Sequence, residues 1–245
     1  MLKFLSFLFP LFCLTCLPSL VSAQTPPVKI IVFDFGGVIA KGDKQEIGNY
    51  IAKTFDISPE EGLKSQTELK QYLTQGGSEQ DFWKMYAQSK GKSLPDQWIE
   101  KLDQVRLRAI KEIPGMVNVV KTLQKQGYQT ALLSNVRMSQ AKLKRQLGYY
   151  SLFDPVLLSY EIGVDKPNAK AYQILLDTLG APPERVLFID NKPQNIEAAK
   201  SMGIDAILFQ NADQLIREFR QRGIIISQDN QEATSPAASA QIKNP

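Results

Sequence analysis

KIIVFDFGG, residues 29–37, is the stretch of sequence that decides the fold. It begins with a run of apolar, mostly β-branched residues, which is typical of a strand buried on both faces of a parallel sheet. The run ends at Asp34, and Gly36 and Gly37 follow. Glycines at such a strand end let backbone N–H groups approach an anion closely. The stretch therefore predicts a strand that presents the Asp34 carboxylate at the edge of a sheet.

Four similar apolar runs follow along the chain, and helical patterns lie between them. The predicted strands are residues 29–34, 130–134, 155–159, 186–190 and 206–209. The predicted helices are residues 116–126, 140–147, 169–179, 193–202 and 212–222, and Gly127, Gly180 and Gly203 follow three of them at left-handed positions. Strands that alternate with helices favour an α/β fold, here a Rossmann-like parallel sheet with helices on both faces.

Residues 44–112 interrupt this alternation with a helical, amphipathic pattern and no convincing strand. An insert directly after the first strand is expected above the carboxyl ends of the strands, where such folds bind ligands. We interpret the insert as an α-helical cap on a core formed by residues 28–43 and 113–226. A separate helical bundle with its own partner is the alternative. Most of the aromatic residues Phe82, Trp83, Tyr86 and Trp98 are expected in the interior of the cap.

The first residues have the features of a secretory signal peptide. Lys3 precedes an apolar run, Phe4 to Leu20, and the small residues of Val21-Ser22-Ala23 allow cleavage after Ala23. Residues 1–23 are therefore predicted to be removed, which leaves no stable membrane anchor and places the protein in the periplasm or outside the cell. An uncleaved anchor is the alternative. Residues 227–245, rich in Gln, Ser, Ala and Asn, are predicted to form a disordered tail.

Composition excludes several classes of function. The chain has 29 Lys and Arg against 25 Asp and Glu, and no dense basic run, so nucleic acid is not an expected partner. There is no histidine, which excludes Ser-His-Asp and Cys-His catalysis and His-ligated zinc. Cys13 and Cys16 both lie in the predicted signal peptide. A nucleophile in the mature protein must therefore be a carboxylate, a hydroxyl or a lysine.

Four short motifs are expected at the carboxyl edge of the sheet. They are FDFGGV (33–38), LLSN (132–135), GVDKP (163–167) and FIDN (188–191). Each is weak alone, because Asp or Ser after a strand is usually a turn or cap residue. Together they supply a carboxylate nucleophile, a hydroxyl, a cation and a second carboxylate. Attack on a phosphate group needs such an array, since charge must be neutralised while the nucleophile is held in line.

With these motifs, the chain resembles the haloacid dehalogenase-like (HAD) hydrolases, a superfamily made largely of phosphatases. The stretches SYEIGVDKP (159–167) and VLFIDNKPQNIEAA (186–199) are similar to the helical-cap subfamily that includes sugar-phosphate phosphatases and the amino-terminal domain of soluble epoxide hydrolases. The resemblance implies a magnesium-dependent phosphatase that acts on a small phosphorylated metabolite through an aspartyl-phosphate intermediate.

The resemblance also implies a role for individual residues. Asp34 matches the catalytic nucleophile, and Lys166 matches the cation that neutralises both nucleophile and phosphate. The implied substrate-binding residues are Gly37, Ser134, Asn135 and Lys166. The implied ligands of Mg²⁺ are Asp34, the backbone carbonyl of Gly36, Asp190 and Asn191, an all-oxygen set that suits a hard cation.

Two positions depart from the family pattern. Gly36 occupies the position where most of these phosphatases carry an aspartate as general acid and base, and Asn191 replaces the second aspartate of the metal-binding pair. Two alternatives therefore stay open. One is a metal-independent 2-haloacid dehalogenase, and the other is a weakly active or inactive binding protein on a HAD fold.

Overall fold

The computed structural model describes residues 28–226. Within that range the strands are β1 (Ile30–Phe33), β2 (Ala40–Gly42), β3 (Ile110–Glu112), β4 (Gln129–Ser134), β5 (Val156–Leu158), β6 (Val186–Asp190) and β7 (Asp205–Leu208). The helices are α1 (Lys44–Phe55), α2 (Pro59–Thr74), α3 (Glu79–Ser89), α4 (Trp98–Arg108), α5 (Met116–Lys125), α6 (Met138–Gln146), α7 (Ser159–Ile162), α8 (Ala169–Leu179), α9 (Pro193–Ser201) and α10 (Ala212–Gln221). The predicted signal peptide and the predicted tail lie outside the described residues.

Five of the strands form one parallel sheet, in the order β5-β4-β1-β6-β7. β1 is the central strand, and its Ile31 pairs with Thr130 on β4 and with Leu187 on β6. Ile31 and Val32 point to opposite faces of the sheet and both are fully buried, as a strand covered on both faces requires. The five predicted strands are therefore confirmed.

Helices cover both faces of this sheet, and an apolar cluster fills each interface. Val120 of α5 and Phe219 of α10 belong to the cluster on one face, whereas Leu175 of α8 and Ile196 of α9 belong to the cluster on the other. The predicted α/β fold class is confirmed. Gly127, Gly180 and Gly203 have positive φ angles, as predicted for residues just past a helix. Among residues 28–226 no helix is long and apolar enough to cross a membrane.

The inserted segment contains α1 to α4, which pack around an aromatic interior of their own. Trp83 stacks on Phe55 with ring centroids 6.0 Å apart and meets Trp98 edge to face at 5.3 Å. Trp83, Trp98 and Phe82 are buried, and Tyr86 packs against them. The prediction that these aromatic side chains lie mostly inside the cap is confirmed.

A short antiparallel ribbon connects the insert to the core, and here the prediction of a strand-free insert is wrong. β2 lies before residue 44 and pairs with β3 at the end of the insert, with Lys41 opposite Lys111. Both strands have three residues and both carry lysine, so neither shows the apolar alternation from which strands are predicted. The predicted start of α6 is also two residues late, since the helix begins at Met138.

An ion-pair cluster connects the cap to the core at a second place. Glu79, at the start of α3, accepts a 2.6 Å hydrogen bond from Arg106 of α4 and a 3.3 Å hydrogen bond from Arg137, which precedes α6. Burial alone would raise the pKa of Glu79. The adjacent Arg106 guanidinium outweighs burial, and the pKa therefore lies below the ordinary value of 4.5. Ionised Glu79 therefore stabilises this contact between cap and core.

We expect Glu79→Gln to lower the free energy of unfolding by about 1–3 kcal/mol at neutral pH, because it weakens charge-assisted hydrogen bonds. Since the pKa of Glu79 is lowered in the folded protein, its stabilisation is complete above 4.5 and is lost as the pH falls below that value. Urea unfolding at pH 7 and at pH 3 tests this, with the exposed Glu197→Gln as control. An equal difference between wild type and variant at both pH values would contradict the assignment.

Candidate active site at the carboxyl edge of the sheet

The four predicted motifs meet at the carboxyl edge of the sheet. Asp34 directly follows β1, Ser134 ends β4, Asp190 ends β6, and Lys166 precedes α8. All four side chains are buried, and Asp190 is fully so. Parallel strands place their carboxyl ends at one edge, and for that reason residues far apart in sequence converge here.

The ammonium group of Lys166 occupies the centre of the site. Its Nζ donates hydrogen bonds to Asp34 Oδ1 at 2.9 Å, to Asp190 Oδ2 at 2.7 Å and to the carbonyl oxygen of Leu133 at 2.6 Å. These three bonds use all the donors of the ammonium group. One cation thus bridges two buried carboxylates, and the three groups together carry one net negative charge.

Asn135 fixes the backbone that carries this lysine. Its Nδ2 donates to the carbonyl of Lys166 at 2.8 Å, and its Oδ1 accepts from the N–H of Lys166 at 2.9 Å. The resemblance implies that Asn135 is a substrate-binding residue. In the structure its side-chain amide is used to position the loop of Lys166.

Asp190 is held by its own loop as well as by the lysine. Its Oδ1 accepts from the backbone N–H of Lys192 at 2.9 Å, and its Oδ2 accepts from Asn195 Nδ2 at 2.8 Å. Asn195 is buried, and its role was missed in the sequence analysis. Asn195 lies in the first turn of α9, directly after the strand that ends at Asp190, and a polar residue at this position indicates a side chain that can bond back to the strand end.

Two oxygens at the site are left available to a ligand. Asp34 Oδ2 and the Ser134 hydroxyl form no hydrogen bond with any group of residues 28–226. The bond from Lys166 fixes the Asp34 carboxylate through Oδ1, so that Oδ2 is its unbonded oxygen. A carboxylate oxygen and a hydroxyl donor are therefore both free at this edge.

The two glycines after Asp34 meet different surroundings. Gly37 has a φ of +86°, and a Cβ there would lie 2.3 Å from Asn191 Nδ2, so the Asn191 side chain lies against the glycine. Gly36 has space around it, because the nearest atom to a Cβ there would be Asp34 Oδ2 at 3.9 Å. The loop therefore requires glycine at position 37 but has room for a side chain at position 36.

The comparison with known proteins decides the family. The sequence profile described as "Hydrolase: haloacid dehalogenase-like hydrolase" matches residues 28–203, which include every residue of the site. The chain belongs to the haloacid dehalogenase-like hydrolases. The resemblance inferred from the motifs is confirmed.

Individual relatives are more distant. The chain is 32% identical over 110 residues to bifunctional epoxide hydrolase 2 of Sus scrofa, a match that covers 42% of this chain and 20% of that protein. It is 27% identical over 201 residues to D-ribitol-5-phosphate phosphatase of Bacteroides thetaiotaomicron, which covers 75% of this chain and 93% of that protein. The matches span about a fifth to a half of the length of three curated relatives, the Sus scrofa protein among them.

The fold is also similar to that of solved structures. One is a HAD family enzyme from Bacteroides thetaiotaomicron, in complex with magnesium and inorganic phosphate. The superposition has a TM-score of 0.60 at 18% sequence identity, and it covers 79% of this chain and all of that one. At this identity the likeness concerns the fold alone.

The donor groups at this HAD site suit a hard cation. Among residues 28–226 no three His, Cys, Asp or Glu side chains come together to form a metal site, so a metal here would depend on two carboxylates and on neutral oxygen ligands. The oxygen donors are the two carboxylates of Asp34 and Asp190, the amide of Asn191 and the carbonyl of Gly36. Mg²⁺ accepts such oxygens together with water. Because Lys166 balances one of the two carboxylate charges, the electrostatic attraction for a cation is weak.

Lys144 is a further cation beside the site, and the sequence analysis missed it. Its Nζ lies 4.5 Å from the centre of the ring of Phe35, the residue that follows Asp34. Burial lowers the pKa of Lys144 to about 8, against the opposing effect of the Asp34 carboxylate. α6 is largely polar, so a lysine within it gave no sign of a functional role. Lys144 faces a cavity of about 1120 Å³ between cap and core.

We expect Lys166→Met to destabilise the protein by about 3–5 kcal/mol, because it leaves two buried carboxylates facing each other without a cation. Denaturant unfolding measures this, with Lys170→Met, an exposed lysine of α8, as the matched control. Adding Asp190→Asn to Lys166→Met should recover part of the lost stability, since it removes the repulsion. A Lys166→Met protein as stable as the control would contradict the bridge.

Proposed function

We propose that this HAD hydrolase is a phosphatase that removes the phosphate group from a small phosphorylated metabolite. The observation that carries the proposal is the arrangement of Asp34. Lys166 holds its Oδ1, while Oδ2 and the hydroxyl of Ser134, at the end of the neighbouring strand β4, form no hydrogen bond within residues 28–226. A carboxylate held in this way is preorganised for attack, and the hydroxyl and two lysines supply the positive environment that a transferring phosphate requires.

The proposed reaction has two steps. Asp34 Oδ2 attacks phosphorus, the Oδ2–P bond forms, and the bond between phosphorus and the metabolite oxygen breaks. That oxygen takes its proton from solvent, because Gly36 carries no acidic side chain. Water then attacks the phosphorus of the aspartyl phosphate, which releases inorganic phosphate, returns a proton to solvent and restores the Asp34 carboxylate.

Mg²⁺ is the proposed cofactor. Asp34, Asp190, Asn191 and the Gly36 carbonyl would hold it, and when bound it would neutralise charge on the phosphate oxygens. The all-oxygen donor set supports this, as do phosphatases among the relatives and a structural neighbour that was crystallised with magnesium and inorganic phosphate.

We expect phosphate release from at least one member of a panel of phosphorylated metabolites, with activity that depends on Mg²⁺ and is abolished by EDTA. Asp34→Asn should lower kcat by about 10³-fold or more, because it removes the nucleophile. Asp177→Asn, on the exposed face of α8, is the matched control. Unchanged turnover in Asp34→Asn would contradict the proposal.

The same assay separates the two alternatives. Chloride release from 2-chloropropionate that EDTA does not affect would favour a dehalogenase. A folded protein that releases neither phosphate nor chloride would favour a binding protein on an inactive HAD fold.

Gly36→Asp should raise kcat on alkyl phosphates by up to about 10²–10⁴-fold, because the loop has room for a carboxyl that can protonate the leaving oxygen. The isosteric Gly36→Asn is the control. Turnover of p-nitrophenyl phosphate should change little, since its leaving group needs no proton. Equal rates for the Asp and Asn variants on alkyl phosphates would contradict the view that proton transfer to the leaving group limits the enzyme.

We also propose that the protein is exported. The support is the basic start, the apolar run and the small residues before Gln24. Amino-terminal sequencing of protein recovered from the periplasm or the medium should begin at Gln24. Recovery of the chain only in the cytoplasm or the membrane, with its first residues intact, would contradict export.

A further inference from the structure

The cavity above the nucleophile loop is strongly basic. Phe35, Gly36, Gly37 and Asn191 line it on the side of the active site. The remaining wall comes from the β2–β3 ribbon, from α1, α2 and α4 of the cap, and from α6 of the core together with Arg137 just before it. This wall carries seven cationic side chains and one carboxylate, that of Asp43. Its volume of about 1120 Å³ far exceeds the space that a single phosphate group needs.

Part of this charge is already balanced within the protein. Arg106 and Arg137 pair with Glu79, as described above. The carboxylate of Asp43 accepts hydrogen bonds from the N–H groups of Gln45 and Glu46 and so caps α1. The single acidic side chain of the wall is therefore used by the helix terminus.

Four lysines of the wall have little or no negative charge next to them. Lys41, Lys44 and Lys70 have no carboxylate within 4.0 Å among the residues that the structure describes. Lys111 has only Glu46, at 3.6 Å, and more than half of its side chain is exposed. Several cations thus face the cavity without a partner of their own.

The strand register adds a second, independent observation. Lys41 and Lys111 lie directly opposite each other in the antiparallel β2–β3 pair. Side chains of directly opposed residues project from the same face of a ribbon, and like charges in this position repel each other. An anion bound between the two ammonium groups would attract both of them and so offset this repulsion. Ala40, the first residue of β2, accepts a 2.9 Å hydrogen bond from the N–H of Gly37, so the ribbon begins against the loop that follows Asp34. Lys41 and Lys111 line the same cavity as that loop, within reach of a small substrate bound at Asp34.

We propose that the substrate carries a second anionic group, a carboxylate or another phosphate, which Lys41 and Lys111 bind together, with Lys44 and Lys70 in support. This inference rests on the proposed phosphatase function and names its substrate class. The phosphate to be removed would have the Ser134 hydroxyl as a donor and the positive charges of Lys166 and Lys144 near it, so the lysines of the ribbon are available for a different group.

Matched substrates test the class. We expect kcat/KM for 3-phosphoglycerate to exceed that for glycerol 3-phosphate, and for fructose 1,6-bisphosphate to exceed that for fructose 6-phosphate, in at least one pair. The expected factor is about tenfold or more, the effect of one charge-assisted hydrogen bond. The difference should lie mainly in KM and should shrink as NaCl is raised. The pair that shows it identifies the second group as carboxylate or phosphate.

Variants locate the effect. Lys41→Gln combined with Lys111→Gln should reduce the preference within the discriminating pair to about twofold or less, since it removes both charges from the ribbon. Lys121→Gln, an exposed lysine of α5 outside the cavity, should leave the preference unchanged. Equal kcat/KM within both pairs, or a preference that survives the double substitution, would overturn the proposal.

A binding measurement separates this proposal from the phosphatase assignment. Titration calorimetry of the wild-type protein compares propylphosphonate with 3-phosphonopropionate and with propane-1,3-diphosphonate, none of which can be hydrolysed at a C–P bond by this mechanism. Tighter binding of either compound with a second anionic group, lost in the double variant, would support the second anion site even if no phosphate release were found. Turnover of phosphate esters without any such difference in affinity would leave the phosphatase standing and remove the second anion site.

Discussion

The ammonium group of Lys166 lies between the carboxylates of Asp34 and Asp190, and the geometry of the site depends on this bridge. Two buried carboxylates at one sheet edge would repel each other, and a lone buried ammonium would be strongly disfavoured. Burial of these charges is therefore tolerated only when all three groups are present. Their arrangement also fixes which oxygen of Asp34 is free, and this connects the stability of the core to its proposed chemistry.

The bridge is positioned by polar side chains rather than by apolar packing. Asn135 holds the backbone of Lys166, and Asn195 with the N–H of Lys192 holds Asp190. The wall of the cavity differs from these hydrogen-bonded residues, because it carries exposed lysines on the short β2–β3 ribbon and on cap helices. The buried residues around Lys166 are suited to a single reaction, whereas the lysines of the wall are suited to the choice of substrate.

The sheet and the four strand-end motifs could be predicted because a strand buried on both faces has a continuous apolar run, and parallel strands bring their carboxyl ends together. Asp34, Ser134, Lys166 and Asp190 were therefore identified correctly as neighbours. The direction of the Asn135 side chain and the bond from Asn195 depend on loop conformation, which no periodicity reports. Lys144 lies on a polar helix, and the β2–β3 ribbon is too short and too charged to show a strand pattern.

Chemical trapping shows whether Asp34 becomes phosphorylated during turnover. Borohydride reduces an acyl phosphate to the alcohol, so that aspartate becomes homoserine, which peptide mass spectrometry detects. The protein quenched during turnover of a phosphorylated substrate is predicted to contain homoserine at position 34, and only when substrate is present. Steady release of phosphate with Asp34 unmodified would show that Asp34 is not the nucleophile.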